Sequence, residues 1–140
     1  MRGTVGTAAC AAALATALVA SPASATWTAQ GGGDGGGTAD VMPRGLAPTG
    51  SAGTTTVSLS WSGVMLVHSH AAVAGYLVRK YDAATNALLT AGGTCSGTVA
   101  ATSCTDSGVR PGTYYFTVVP VLASWSGPES PHSAVIAVSG

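Results

Sequence analysis

The stretch TTTVSLSWS at residues 54–62 alternates strictly, with Val57, Leu59 and Trp61 on one side and Ser58, Ser60 and Ser62 on the other. A period of two is the mark of a strand with one face buried. AVAGYLVRKYD at 72–82 predicts a second strand, with Tyr76 and Val78 on one face and Leu77, Arg79 and Tyr81 on the other. DAATN at 82–86 predicts the turn that follows: Asp82 can accept bonds from backbone amides, and Asn86 tolerates positive φ. ALLTA at 87–91 returns as a short third strand and GTVAATSCT at 97–105 as a fourth. GTYYFTVVPV at 112–121 is the strongest, with Tyr114, Phe116 and Val118 sharing a face. SAVIAVSG at 133–140 predicts the last strand, and APTGSAG at 47–53 a weak first one. Seven short strands with frequent turn signals predict a β-sandwich. Beyond residue 25 there is no helical periodicity, heptad, phosphate-binding glycine loop or internal repeat.

The first 45 residues have a different texture. Arg2 precedes an uncharged Ala-rich run at 5–20, and SPASA at 21–25 carries Ala23 and Ala25 in an A-x-A arrangement. This is the pattern of a secretory signal peptide cleaved after Ala25. The run is short for a bilayer span. Cys10 does not end the run, as a lipid-attachment cysteine should. Residues 26–45 form a Gly-rich arm whose GGGDGGG core acts as a flexible coil with a mean reach of roughly 15 Å. Trp27 reads either as a tail residue resting on the domain or as a tethered anchor or extra edge strand. The domain itself is expected over 46–140. The chain stops directly after the last predicted strand, so no C-terminal anchor helix or wall-sorting signal is expected.

Composition narrows the function. Charged residues are only 7% of the 140, and the formal net charge is zero. Removing Arg2 with the signal peptide leaves four basic against five acidic side chains. With no basic stripe, nucleic acid and anionic membrane surfaces are poor partners.

Cleavage also removes Cys10 and leaves Cys95 and Cys104. An even count in an exported chain predicts a disulfide. A metal pair would want closer spacing and further ligands, and a redox pair would want C-x-x-C. Closing so short a loop stabilises the fold by roughly 2.5–3 kcal/mol in the chain-entropy view.

TDSGVRPGTYYFTVVPV at 105–121 resembles the E-to-F junction of fibronectin type III domains, which read as an apolar residue, x-Pro-Gly, and a Tyr-x-aromatic-x-Val strand. Val109, Pro111, Gly112, Tyr114, Phe116 and Val118 fill those places. Trp61 is similar to the family's strand B tryptophan, and Tyr76 and Val78 to its strand C. SGPES at 126–130 looks like the loop into the last strand. The resemblance covers about residues 46–140 and implies an immunoglobulin-like, fibronectin type III β-sandwich of about seven strands. It implies that Tyr114 forms the tyrosine corner, its hydroxyl returning to backbone near Val109. Tyr115 is the competing candidate, set aside because Thr117 marks its face as the wetter one. The cysteine pair, the apolar SGVMLVHSHAAVA connection (62–74) and the Gly-rich arm depart from the family pattern. The whole looks like small exported actinobacterial proteins with one such domain, an impression resting partly on one lysine against four arginines.

Candidate chemistry is sparse. His68, His70 and His132 are the only metal-like set, and they read as solvated loop histidines rather than a zinc or copper site. Asp40, Asp82, Asp106 and Glu129 read as turn residues, and Asp34 lies in the arm. No carboxylate pair and no nucleophile elbow is visible, so no enzyme, metal or cofactor is expected. The remaining signal is an apolar face. Leu77, Tyr81, Tyr115 and Val119 point away from the predicted core, and Trp125 sits at the edge of the same sheet. Such a patch can mark a contact surface, unless the arm folds back over it with Trp27 as the lid. The expectation is an exported, non-catalytic interaction or adhesion module whose partner is an extracellular or envelope protein or a polysaccharide. The alternatives are a carbohydrate-binding accessory and a surface subunit that assembles through its arm.

Overall fold

The structure, a computed structural model, describes residues 39–140. The signal-peptide reading of 1–25, and the arm with Trp27 as far as residue 38, lie outside the described residues. The alternating stretch forms β2 (Thr56–Ser60), with Val57 and Leu59 buried and Ser58 and Ser60 in solvent. It lies between β1 (Thr49–Ala52) and β6 (Ser103–Ser107) in a three-stranded antiparallel sheet.

The second sheet is built on β3 (Gly75–Asp82) and β7 (Gly112–Leu122), paired antiparallel from Gly75 against Val121 to Asp82 against Tyr114. β4 (Leu88–Leu89) and β5 (Thr98–Val99) add to β3, while β8 (Trp125–Ser126) and β9 (Ile136–Val138) add to β7. Asp82 Oδ1 accepts the amides of Ala84 and Thr85 at 2.9 Å each, and Asn86 adopts φ 60°. This turn is therefore held by the side chain that precedes it.

The stretch 97–105 is not one strand. Thr98–Val99 pairs with β3, the chain bends through Ala100–Thr102, and Ser103–Ser107 joins β2 in the other sheet. The crossing is fixed by the Trp61 amide, which donates to the Thr102 carbonyl at 2.9 Å. Alternation alone cannot report such a change of sheet, because both halves keep a period of two.

Between the sheets lie Val57, Leu59, Trp61, Tyr76, Phe116, Val118, Ile136 and Val138. Trp61 meets Tyr76 edge to face at 5.5 Å, a favoured aromatic arrangement. The Tyr76 hydroxyl accepts the Val64 amide at 2.8 Å. That bond draws the apolar 62–74 connection inward, so Val64 and Leu66 are buried although they sit in a loop. Cys95, in the 3₁₀ turn η1 (Gly93–Cys95), is bonded to Cys104 of β6 with the α-carbons 5.1 Å apart.

Two charged residues enter this core. Lys80 of β3 and Asp106 of β6 are 8% and 0% exposed, and Lys80 Nζ lies 2.9 Å from Asp106 Oδ2. Asp106 Oδ1 accepts the Gly92 amide at 2.5 Å. Asp106 is thus not a turn residue: its place opposite Val57 on β2 turns it inward.

The packed part of the chain begins before residue 46. Met42 is buried, and a side chain at Gly127 would come within 2.8 Å of it. Val41 accepts the Val67 amide at 3.0 Å. Asp40 accepts the His68 and Ser69 amides at 2.9 and 3.2 Å and the Ser69 hydroxyl as well. Residues 40–42 are therefore part of the domain rather than of the arm. A glycine-rich leader masks this in the sequence, because a single buried methionine has no periodic neighbours.

Candidate binding surface

Cross-strand register brings the predicted outer-face residues together: Tyr81 stands opposite Tyr115, Arg79 opposite Thr117, and Leu77 opposite Val119. The face they form is largely covered. Residues 127–133 run along β7, with the amides of Gly127, Ser130 and Ser133 donating to Pro120, Val118 and Phe116 at 2.9 Å. The return bonds come from side chains: Ser130 Oγ accepts the Val118 amide and Ser133 Oγ the Phe116 amide, each at 3.0 Å. Pro128 and Pro131 interrupt this segment. Proline cannot donate to a ladder, and the serines complete the pairing that a regular strand would have made.

Glu129 projects from this segment over the sheet. It pairs with Arg79 at 2.7 Å, accepts the Tyr81 hydroxyl at 2.8 Å, and accepts the Thr117 hydroxyl. His132 stacks on Tyr115 at 3.9 Å, and Tyr115 stacks on Tyr81 at 5.1 Å. The expectation of an exposed apolar face is corrected here. Tyr115 and Val119 are buried, Leu77 and Tyr81 are half-buried, and Thr117 is fully buried rather than the wet side of the strand. The cover comes from the segment after Trp125. Glu129 is the anchor of that cover rather than a turn residue, and His132, an exposed loop histidine, also stacks on Tyr115. The signal that was available in the sequence is the pairing of an outward Arg79 with a later acid between two prolines.

Tyr114 lies on the inner face, and its hydroxyl donates to the Arg110 carbonyl at 3.0 Å. Gly112 has φ 159°, essentially extended, and a side chain there would come within 2.9 Å of the Tyr114 hydroxyl. Pro111, in the preceding turn, is exposed.

Trp125 remains exposed, at 40%, beside the two-residue turn of the β7–β8 hairpin, where Ala123 takes φ 52°. Val41, Met65 and Val67 are exposed on neighbouring segments. These segments share one end of the sandwich: Val67 bonds Val41, Met42 packs on Gly127, and the Ala74 amide donates to Val121 at 2.9 Å. His68 and His70 are exposed in the same loop. Among the described residues, no three His, Cys, Asp or Glu side chains gather as a metal site.

The outer face of the smaller sheet differs again. Register places Ser60 between Thr49 and Ser103, and Ser58 between Ser51 and Thr105, so two rows of hydroxyls cross the sheet without a charge among them. Thr49 and Ser60 hydroxyls lie 3.0 Å apart.

Among the described residues, the aspartate and glutamate side chains are all engaged. The Ser69 hydroxyl, then the His68 amide, hold Asp40 well below the usual carboxylate range. The Thr85 and Ala84 amides lower Asp82. Burial pushes Glu129 up, but the Thr117 and Tyr81 hydroxyls and the Arg79 charge outweigh it, and the net direction is down. Burial, then the bond to Glu129, raises Tyr81.

No family model and no curated protein matches the chain. Solved structures do. It is similar to "Titin kinase and its flanking domains" at 19% identity and TM-score 0.57, over 71% of this chain and 18% of that one. It is similar to the twitchin kinase region from C. elegans at 19% and 0.55, over 70% and 17%. It is similar to the chicken CNTN1 FN1-FN3 domains at 20% and 0.51, over 66% and 33%. The chain thus spans no more than a third of these relatives. At such identities the likeness is one of fold, and the fold is an immunoglobulin-like, fibronectin type III β-sandwich with one disulfide.

Proposed function

We propose that this chain is an exported, non-catalytic interaction module that meets an extracellular or envelope partner through the end of the sandwich bearing Trp125. The observation that carries this is the exposure of Trp125 on a tight hairpin, with Val41, Met65 and Val67 exposed on adjoining segments. Tryptophan on a rigid support is a favoured interface anchor, and a cluster of exposed apolar side chains is the kind of surface that binding covers. The non-catalytic reading is supported by the acids. Asp40, Asp82, Asp106 and Glu129 each hold backbone amides, hydroxyls or a cation of the fold.

The test uses the full chain expressed in its own host, with export followed by cell fractionation and partners captured by crosslinking. Trp125→Ala combined with Val67→Ser is expected to lose crosslinked partners while the thermal midpoint stays within a few degrees. Unchanged crosslinking would sink the proposed surface, and retention of the chain inside the cell would sink export.

A second reading, a carbohydrate-binding accessory, is favoured by the uncharged hydroxyl rows of the smaller sheet. Tyr115 cannot serve it, because His132 occupies its ring face. Retention on insoluble polysaccharide that survives Trp125→Ala but is lost in Ser58→Lys would select this reading over the first.

A further inference from the structure

β6 turns Cys104 and Asp106 toward the interior, two residues apart. Cys104 is covalently tied to η1, whereas Asp106 faces an amine of the opposite sheet. An isolated buried ion pair is an indifferent stabiliser, because removing two charges from water offsets most of their attraction. Lys80 Nζ and Asp106 Oδ2 are in contact at 2.9 Å, the carboxyl is fully buried, and the Tyr114 ring lies 5.8 Å from the amine. The other carboxyl oxygen, Oδ1, accepts the Gly92 amide at 2.5 Å. That donor lies where negative charge would develop on attack at Cγ.

We infer that Lys80 and Asp106 form an intramolecular amide that joins β3 of one sheet to β6 of the other. A proton passes from Nζ to Oδ2 along their 2.9 Å hydrogen bond. The nitrogen lone pair then attacks Cγ, and the Gly92 amide holds the charge that gathers on Oδ1. A second proton moves from nitrogen to Oδ2, the Cγ–Oδ2 bond breaks, and Oδ2 leaves as water. Of the three ammonium protons, one stays on the amide and two leave in the water. No oxidant, reductant or further reactant is needed, and the pair's contact supplies the proximity that such a reaction requires.

The test is the intact mass of the exported wild-type chain, reduced and denatured, with tryptic mapping of the same sample. The expected result is a chain about 18 Da lighter than its sequence, one water having been lost in the covalent modification. The map should show a branched peptide joining Lys80 to Asp106 and no cleavage after Lys80. Full sequence mass with cleavage after Lys80 would overturn the inference. So would a water loss that persists in Lys80→Arg, since that loss would be an aspartyl succinimide elsewhere. Because the wild-type map is decisive by itself, the result does not depend on whether the variant folds.

Discussion

The imidazole of His132 lies 3.9 Å from the ring of Tyr115, centroid to centroid, with the planes 21° apart. That contact closes one end of a segment that Glu129 fastens at the other. Together they place His132 against Tyr115 and Glu129 against Thr117 on the outward face of β7. The cover is made by a Pro-interrupted strand whose missing ladder bonds are supplied by Ser130 and Ser133.

Removing the fastening carboxylate should cost stability in a pH-dependent way. Glu129→Gln leaves Arg79 without its counter-charge and weakens the bonds to Thr117 and Tyr81. A loss of about 1–2 kcal/mol is expected at neutral pH, read from urea unfolding. Because the folded-state pKa of Glu129 is lowered from 4.5, its contribution is fully present above that value. It fades as pH falls through the lower folded value. The wild-type and Glu129→Gln curves should therefore converge in acid. A gap that stays constant to pH 3 would refute the assignment.

Two neighbouring tyrosines should respond oppositely to loss of the hydroxyl. Tyr114→Phe removes the bond to the Arg110 carbonyl and should cost about 1 kcal/mol. Tyr115→Phe should be close to neutral, because its buried hydroxyl meets no protein partner among the described residues. Chemical denaturation of both variants tests this. An equal loss in the two would mean that the Arg110 bond contributes nothing.

Alkaline titration should single out Tyr81. Burial and then Glu129 raise its pKa above 10.0. Stability from this group is complete below the ordinary tyrosine value and declines as pH rises through the folded value. Difference absorbance of phenolate in the wild type and Tyr81→Phe should assign the late-titrating component to Tyr81. A late component that persists in Tyr81→Phe would contradict it.

The staple should contribute what its short span predicts. Replacing Cys95 and Cys104 by serine is expected to lower stability by roughly 2.5–3 kcal/mol on chain-entropy grounds. The two are buried, so a larger loss would report the cost of placing hydroxyls in the core. The measurement is the urea midpoint of the double variant against the oxidised wild type.

Asp106→Ala tests the core charge. It leaves the Lys80 ammonium buried without its partner and the Gly92 amide without its acceptor. A loss of about 3–5 kcal/mol is expected. The double change Lys80→Met with Asp106→Leu removes the buried charges and the inferred amide together, so it should recover only part of that loss, and full recovery would show that no covalent tie stabilises the site.

What the sequence determined by itself was local and periodic. Val57, Leu59 and Trp61 declare an inward face because strand side chains alternate, and Asp82 and Asn86 declare a turn because their side chains and φ preferences act within a few residues. Cys95 and Cys104 are expected to form a bridge, and they do. Tertiary structure decided everything that depends on who lies across from whom. Alternation separates two faces of a strand, yet it cannot say whether the second face meets water or a later segment of the chain. Tyr115 and Thr117 meet His132 and Glu129, side chains of a segment that returns beside β7 more than ten positions later. Asp106 looks like any turn acid until β2 fixes its register opposite Val57 and Lys80 arrives from the other sheet. Periodicity is a property of neighbours in sequence, while burial and pairing are properties of neighbours in space, and only the packed sheets bring the second set together.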